Sequence, residues 1–236
     1  MEKGYKNIIL LFIVILLIVI IGFYKSYFGL FPNFVSVDNT MHFHAIVIMA
    51  WFLLLLIQPI LIKKNKIEIH RKIGYFSYVL VPIIVVSMVA ITKHMYIRES
   101  TTTTMMEKER LADLFLPLSQ MVVFTVLYIL AMINQKKTPL HLRYIITCSL
   151  VLLAPGLERI PIYWFEQPEQ QSTIFAFIIT DLTILFLLFY DRKNNKNYNA
   201  YPISLVLLLL VHILYQLIPT TDIWQAIGRK IVTNLF

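Results

Sequence analysis

The chain has 236 residues, of which 58% are hydrophobic and only 14% are charged, and its mean hydropathy is +0.73. This number of polar residues is too small to cover the surface of a water-soluble globule. The composition therefore excludes a soluble fold and predicts an integral membrane protein. The formal net charge is +8. Because the basic residues are divided among short turns, the charge favours the lipid bilayer as partner and argues against nucleic acid.

Seven apolar segments follow one another along the chain, each long enough to cross a bilayer as a helix. We place them at residues 8–23, 42–62, 73–93, 111–134, 144–163, 173–190 and 201–219. The predicted fold is therefore an all-α polytopic bundle of seven transmembrane helices, forming one domain over residues 1–220. Residues 221–236 have apolar side chains at helical spacing after a Thr-Asp start, and we expect them to form a short amphipathic helix on the outer membrane surface.

The distribution of lysine and arginine predicts the orientation of the bundle. Thirteen of the 21 basic residues lie at the N-terminus or in the connections at 63–72, 136–143 and 192–196. Positively charged connections remain on the cytoplasmic side of a membrane. We therefore predict that the N-terminus is inside and the C-terminus outside.

Two connections on the predicted outer side are longer than the inner ones and more irregular. Residues 94–110 are rich in threonine and glutamate, which is typical of a mobile flap or a short surface helix. Residues 164–172 contain Pro168, and we expect the helix not to continue past it.

The second span begins with two histidines. On a helix His42 and His44 point about 200° apart, so only one of them can face a given site. His44, Trp51 and Gln58 recur every seven residues and share one face, which makes His44 the inward candidate. We interpret His42 as an interfacial bystander.

Polar residues also interrupt the later spans. Asp113 and Gln120 share a stripe in the fourth span, Asp181 lies near the middle of the sixth, and His212 lies about 10 Å below the outer end of the seventh. Ionisable groups at such depths usually face the bundle interior or a water-filled cavity. We therefore predict an outward-facing pocket with a core of His44, Asp181 and His212, and with His94, Asp113 and Glu158 near its mouth.

Histidine and carboxylate together suit zinc, iron or copper ions, and two histidines on facing helices suit haem. The predicted metal ligands are His44, His94, Asp113, Glu158 and His212, and the predicted cofactor-binding residues are His44, Asp181 and His212. The alternatives are separate hydrogen-bonded histidines, an ion pair of Glu158 with Arg159, and either proton handling or a hydrogen bond to threonine at Asp181. The inner histidines, His70 and His141, are interpreted as interfacial anchors rather than as a second haem pair.

Several short motifs carry a resemblance. They are His42-Phe-His44, Gln58-Pro59, His70-Arg71-Lys72, Leu140-His141 and Pro155-Gly156. With them the chain resembles uncharacterised bacterial multi-pass membrane proteins that have a basic-turn His-Arg motif. These are loosely related to membrane proteins implicated in cytochrome oxidase assembly and to cytochrome b561-like haem bundles. The resemblance implies the bacterial cytoplasmic (inner) membrane, a link to haem or copper, and respiratory oxidase components as partners.

Three functions therefore remain open from the sequence. The first is haem or transition-metal binding in a redox or oxidase-assembly role. The second is a zinc-dependent intramembrane lipid hydrolase, although the last span has one histidine where that class has a pair. The third is a metal-free proton- or ion-coupled transporter with Asp113 and Asp181 on its path. Whether the protein is an enzyme stays open.

Overall fold

A computed structural model describes residues 4–102 and 104–236, and over this part of the chain the fold is all-α, without strands. The helices are α1 (Tyr5–Gly22), α2 (Asn39–Lys63), α3 (Ile67–Tyr75), α4 (Ser77–Thr102), α5 (Glu107–Asp113), α6 (Phe115–Ile133), α7 (Thr138–Phe165), α8 (Glu169–Lys193), α9 (Ala200–Leu217) and α10 (Asp222–Leu235). A short 3₁₀ turn at Phe28–Leu30 lies between α1 and α2.

The predicted seven-span bundle is confirmed. Seven helical segments among the described residues are long and apolar enough to cross a membrane, with α3 and α4 forming one of them and α5 and α6 another. Consecutive spans run in opposite directions. We call the side that carries the N-terminus the N-terminal face and the opposite side the C-terminal face. The orientation of the bundle, with the N-terminus inside and the C-terminus outside, remains a prediction from the basic residues.

Two of the connections at the C-terminal face are shorter than we expected. Helix α4 continues to Thr102, so residues 94–102 extend a span instead of forming a flap, and α5 begins at Glu107. Helix α8 begins at Glu169, directly after Pro168, which is its N-cap residue. A proline is well placed there because the first amides of a helix need no intrahelical partner. The preceding helix, α7, ends at Phe165 and does not continue past Pro168, as expected, but the residues after Pro168 form a new helix instead of a longer connection.

Helix α7 lies at the centre of the bundle. Of its most apolar 18-residue stretch 61% is buried, against 22% to 39% for the other six spans. It packs against α1, α6, α8 and α9. The crossing with α1 is close because two glycines meet there, and a Cβ atom on Gly22 would collide with the carbonyl oxygen of Gly156.

The last helix is fixed to the short helix α5 at the C-terminal face. The Thr221 hydroxyl accepts a hydrogen bond from the backbone amide of Trp224 at the start of α10. The Trp224 indole N–H donates to the Leu111 carbonyl over 2.7 Å, and the Gln225 amide donates to the Lys108 carbonyl over 3.0 Å. Helix α10 is thereby held against α5 rather than extended from the bundle.

Candidate functional site

The structure brings together two of the residues predicted for the pocket core. Asp181 lies midway along α8, His212 lies on α9, and the distance from His212 Nδ1 to Asp181 Oδ2 is 2.9 Å. Their side chains are only 12% and 16% exposed, for His212 and Asp181 respectively. The threonines next to Asp181 do not bond it, because the hydroxyls of Thr180 and Thr183 donate to backbone carbonyls. The partner of this carboxylate is therefore an imidazole.

The pair has an aromatic neighbour and one polar atom without a partner. The Phe177 ring, one turn before Asp181, stacks on the His212 imidazole with ring centroids 3.8 Å apart and planes 11° apart. The second carboxylate oxygen, Asp181 Oδ1, is buried and has no hydrogen-bond partner among the described residues. A stacked, half-satisfied pair of this kind is held in one geometry and still has an unused acceptor.

A small cavity touches His212. Its polar lining comes from Gln120, Thr180 and His212, and apolar residues of α6, α7 and α9 complete the wall. The volume of the cavity is about 10 Å³, which is close to the minimum that holds one water molecule. Gln120 thus reaches the interior as its stripe in the sequence predicted.

Glu158 makes a second polar contact between helices, nearer the C-terminal face. The Thr173 hydroxyl on α8 donates a short hydrogen bond to the Glu158 carboxylate on α7. Glu158 is not paired with Arg159, whose guanidinium lies over the Phe23 ring at 4.5 Å. Thr173 precedes Asp181 by two turns of α8, a rise of about 12 Å. The contact lies between the mid-span pair and the C-terminal face.

His44 belongs to a different part of the bundle. Its Nδ1 lies 3.1 Å from the Ser87 hydroxyl on α4. Because Ser87 already donates its only hydroxyl proton to the Ile84 carbonyl, His44 Nδ1 is the donor to Ser87, which leaves Nε2 as the acceptor nitrogen. The structure therefore does not bring His44 into the Asp181–His212 pair.

The histidines at the C-terminal face have partners of their own. His94 Nδ1 lies 2.9 Å from Asp38 Oδ2, while Asp38 Oδ1 accepts from the Met41 amide and caps α2. His42 and the Tyr27 hydroxyl share a hydrogen bond of 2.7 Å. Burial raises the pKa of Tyr27 above its usual value. His42, which we interpreted as a bystander, thus fixes the loop after α1.

The predicted metal ligands do not converge. Asp113 is exposed at the end of α5, within electrostatic range of Glu99, Glu109 and Glu169. Within residues 4–102 and 104–236 no group of three histidine, cysteine, aspartate or glutamate side chains could hold a metal ion. The five residues lie in separate contacts instead.

The sequence reasoning missed a buried ion pair near the N-terminal face. Arg143 Nε donates to Asp191 Oδ2 over 2.8 Å, and the two side chains are only 3% and 8% exposed. Arg143 is one of the basic residues of the connection at 136–143 that we assigned to the membrane surface, and Asp191 precedes the connection at 192–196. Their positions in the sequence contained the signal, since each lies within two turns of the same end of two consecutive spans.

The inner histidines are also bonded within the protein. His141 Nδ1 donates to the Ala131 carbonyl over 2.9 Å, which ties α7 to the end of α6. With its side-chain amide turned to satisfy its neighbours, Gln58 donates to His70 Nδ1 and accepts from the Gly74 amide. These contacts hold the helix ends together at the N-terminal face.

The fold defines the class of the protein, a multi-pass membrane protein in which the described residues form seven candidate membrane spans and α7 is the most buried of them. Comparison of the chain with family models, with curated proteins and with solved structures gives no match. The function must therefore be inferred from the side chains themselves.

Proposed function

We propose that the protein couples proton binding to transport across the bacterial cytoplasmic membrane, and that Asp181 and His212 form its proton-binding site. The observation that supports this most is the position of the pair. A carboxylate and an imidazole, 2.9 Å apart, lie at mid-span between α8 and α9, with one carboxylate oxygen unpartnered. Ionisable groups within membrane spans most often mark ion or proton pathways.

The charge of the pair explains how it would drive a conformational change. Asp181 and His212 together are neutral when they share one titratable proton, whichever of them carries it. Gaining a second proton or losing the first leaves a net charge at mid-span, and such a charge costs about 2.5–3.5 kcal/mol there. The protein can lower this cost by admitting water or a counter-ion, so the protonation state biases the arrangement of the helices.

The contacts around the pair favour access from the C-terminal face. The Glu158–Thr173 contact lies on that side and provides further proton-accepting groups. On the other side Ile184 is fully buried and the Arg143–Asp191 ion pair closes the space between α7 and α8. Polar groups therefore continue from the site toward the predicted outside, whereas the ion pair closes the path toward the predicted inside.

Infrared titration in vesicles tests the proton site without knowledge of the cargo. We expect the carboxyl and imidazole bands of the reconstituted protein to change with pH, and the matching components to disappear in Asp181→Asn and His212→Gln. Asp38→Asn is the matched control, because Asp38 is also paired with a histidine and asparagine keeps the helix cap. Identical titrations for Asp181→Asn and the unaltered protein would rule out the proposed proton site.

Proton flux tests the coupling. With a pH-sensitive dye inside the vesicles, an imposed potential should drive proton uptake that falls at least about a hundredfold in Asp181→Asn, the loss expected for a group acting directly in proton transfer. Asp38→Asn should retain the flux. A titrating pair with no flux in either direction would keep the proton site and refute transport.

A metal ion at His212 is the second candidate. A carboxylate that fixes one imidazole nitrogen and leaves the other free is the usual support for a metal-binding histidine. The remaining predicted ligands, His44, His94, Asp113 and Glu158, lie in other contacts, so a mononuclear site would need helices to move. Haem would need more, because the cavity at His212 has room for about one water. Metal analysis and an optical spectrum of the purified protein decide this, and stoichiometric metal lost in His212→Ala would favour it.

A further inference from the structure

We propose that a groove between the adjoining ends of α7 and α8 binds a phospholipid with a free ammonium head group, of the phosphatidylethanolamine class. We call it the lateral groove. Its volume is about 490 Å³, within the range of small-molecule sites. The site is separate from the Asp181–His212 pair and does not depend on the proposed transport function.

The groove exists because of the way the two helices are connected. Helix α7 ends at Phe165, the cap residue Glu166 has left-handed backbone angles (φ 54°), and Pro168 starts α8. This tight connection leaves a gap between the helix ends. Its apolar floor consists of Ile160, Pro161, Phe165 and Phe175, its polar rim consists of the exposed Gln167 and Gln171, and the buried Ser172 completes the lining.

The groove opens toward the membrane rather than into the bundle. Phe165 is 67% exposed and Phe175 is 43% exposed, and both belong to helices that cross the bilayer. From Ile160 to Phe165 the floor extends along α7 by about 7.5 Å. That length fits a head group and the upper part of one acyl chain, with the polar rim at the level of the head groups.

The cations near this end of α7 point away from the groove. The Lys25 ammonium donates to the Tyr163 carbonyl over 2.7 Å and lies 4.9 Å from the centre of the Trp164 ring. The Arg159 guanidinium lies over Phe23, which follows α1. Both positive charges are therefore held on the α1 side of α7.

The charges on the α8 side are negative. Glu166 lies between the lining residues Phe165 and Gln167, Glu169 lies two residues before Gln171, and both carboxylates are exposed at the connection that bounds the groove. Carboxylates and amide oxygens accept hydrogen bonds from an ammonium group, and aromatic faces attract it as well. The same carboxylates repel an anionic head group such as that of phosphatidylglycerol. Charge complementarity therefore selects the amine lipid.

Native mass spectrometry of the full-length protein in detergent tests the selection. The probe is an equimolar mixture of phosphatidylethanolamine and phosphatidylglycerol with identical chains. We expect the amine lipid to be retained roughly fivefold over the anionic one, as two partly exposed ion pairs allow. In a Glu166→Gln, Glu169→Gln double variant the ratio of retained amine lipid to anionic lipid should fall toward one. The control is Asp222→Asn, which removes an exposed acidic residue of α10 at the same face and should leave the ratio unchanged.

A second pair of variants tests the apolar floor. Phe175→Ala should lower the amount of both lipids retained, whereas Phe186→Ala, which removes a 67% exposed ring of the same helix outside the groove, should not. Equal retention of the two lipids by the unaltered protein, or a preference for the anionic one, would overturn the proposal. So would a dimer that Phe175→Ala dissociates, since a second copy would then be the occupant.

Discussion

The Arg143–Asp191 ion pair allows a quantitative test of how α7 and α8 are held together. Its atoms are 2.8 Å apart, both side chains are more than nine-tenths buried, and the guanidinium also donates to the Pro139 carbonyl over 3.0 Å. Removing one partner of such a pair leaves a buried charge uncompensated, which costs about 3–5 kcal/mol. We expect Asp191→Asn and Arg143→Gln each to lose that much of the free energy of unfolding.

A double-mutant cycle separates an ion pair from an ordinary hydrogen bond in the membrane. Polar contacts between membrane helices have coupling energies of about 0.6 kcal/mol on average. We expect a coupling energy above about 2 kcal/mol between Arg143 and Asp191, because the double variant should be little less stable than either single variant.

Reversible unfolding of the protein in mixed detergent micelles measures each variant. Arg192→Gln, at the exposed position next to Asp191, is the control and should change the free energy by less than about 0.5 kcal/mol. Additive single effects, or a coupling near 0.6 kcal/mol, would refute the idea that a desolvated ion pair holds this face.

Two further predictions concern packing and alkaline pH. Gly22→Ala should cost about 1–3 kcal/mol of unfolding free energy because its new methyl group meets the Gly156 backbone. Gly74→Ala is the control and should be neutral or stabilising, because its Cβ would have its nearest neighbour 3.9 Å away. Unchanged stability of Gly22→Ala would contradict the close crossing of α1 and α7. Burial raises the pKa of Tyr27 in the folded protein, so the contribution of this group is complete below its unfolded pKa of about 10 and is lost as pH rises through the folded pKa. Between about pH 8 and about pH 11 the free energy of unfolding should therefore fall more steeply with pH for the unaltered protein than for Tyr27→Phe. The variant also loses the His42 hydrogen bond, but it does so equally at every pH. A parallel pH dependence of the two proteins would contradict this prediction.

The spans could be predicted from the sequence because a bilayer imposes a minimum length of apolar helix, and that length is visible in one dimension. The ends of the spans were less predictable. Residues 94–102 are polar, yet they are helical because α4 continues beyond its apolar part. Pro168 ends a helical pattern in the sequence but starts a helix in the structure. Composition therefore located the membrane-spanning parts better than it located the helix ends.

The pairing of side chains depends on which helices are neighbours, and hydropathy does not contain that information. The depth of Asp181 and His212 could be counted along each helix, and both were predicted to face the interior. Nothing in the spacing indicated that α8 packs against α9 there, or that His44 would instead face α4. Depth was predictable, whereas lateral position was not.

One signal for lateral position was nevertheless present in the sequence. Helix α7 has the lowest mean hydropathy of the seven spans, 1.6, and it is also the most buried. In a membrane the positions that touch lipid must be apolar, while positions enclosed by other helices can be polar if their hydrogen bonds are satisfied. The fully buried Thr147 and Ser149 of α7 both donate to backbone carbonyls of their own helix.

The same reasoning explains where the reactive groups are found. A central helix that is shielded from lipid can place Arg143 near one end and Glu158 near the other, and both are bonded to α8. Asp181 lies between these two contacts along α8, about 12 Å from Thr173 and about 15 Å from Asp191. A proton that reached Asp181 from the C-terminal face would have to pass the Arg143–Asp191 ion pair to leave along α8. The unfolding cycle on this ion pair therefore also measures how strongly the contact that would have to open in the proposed transport is held.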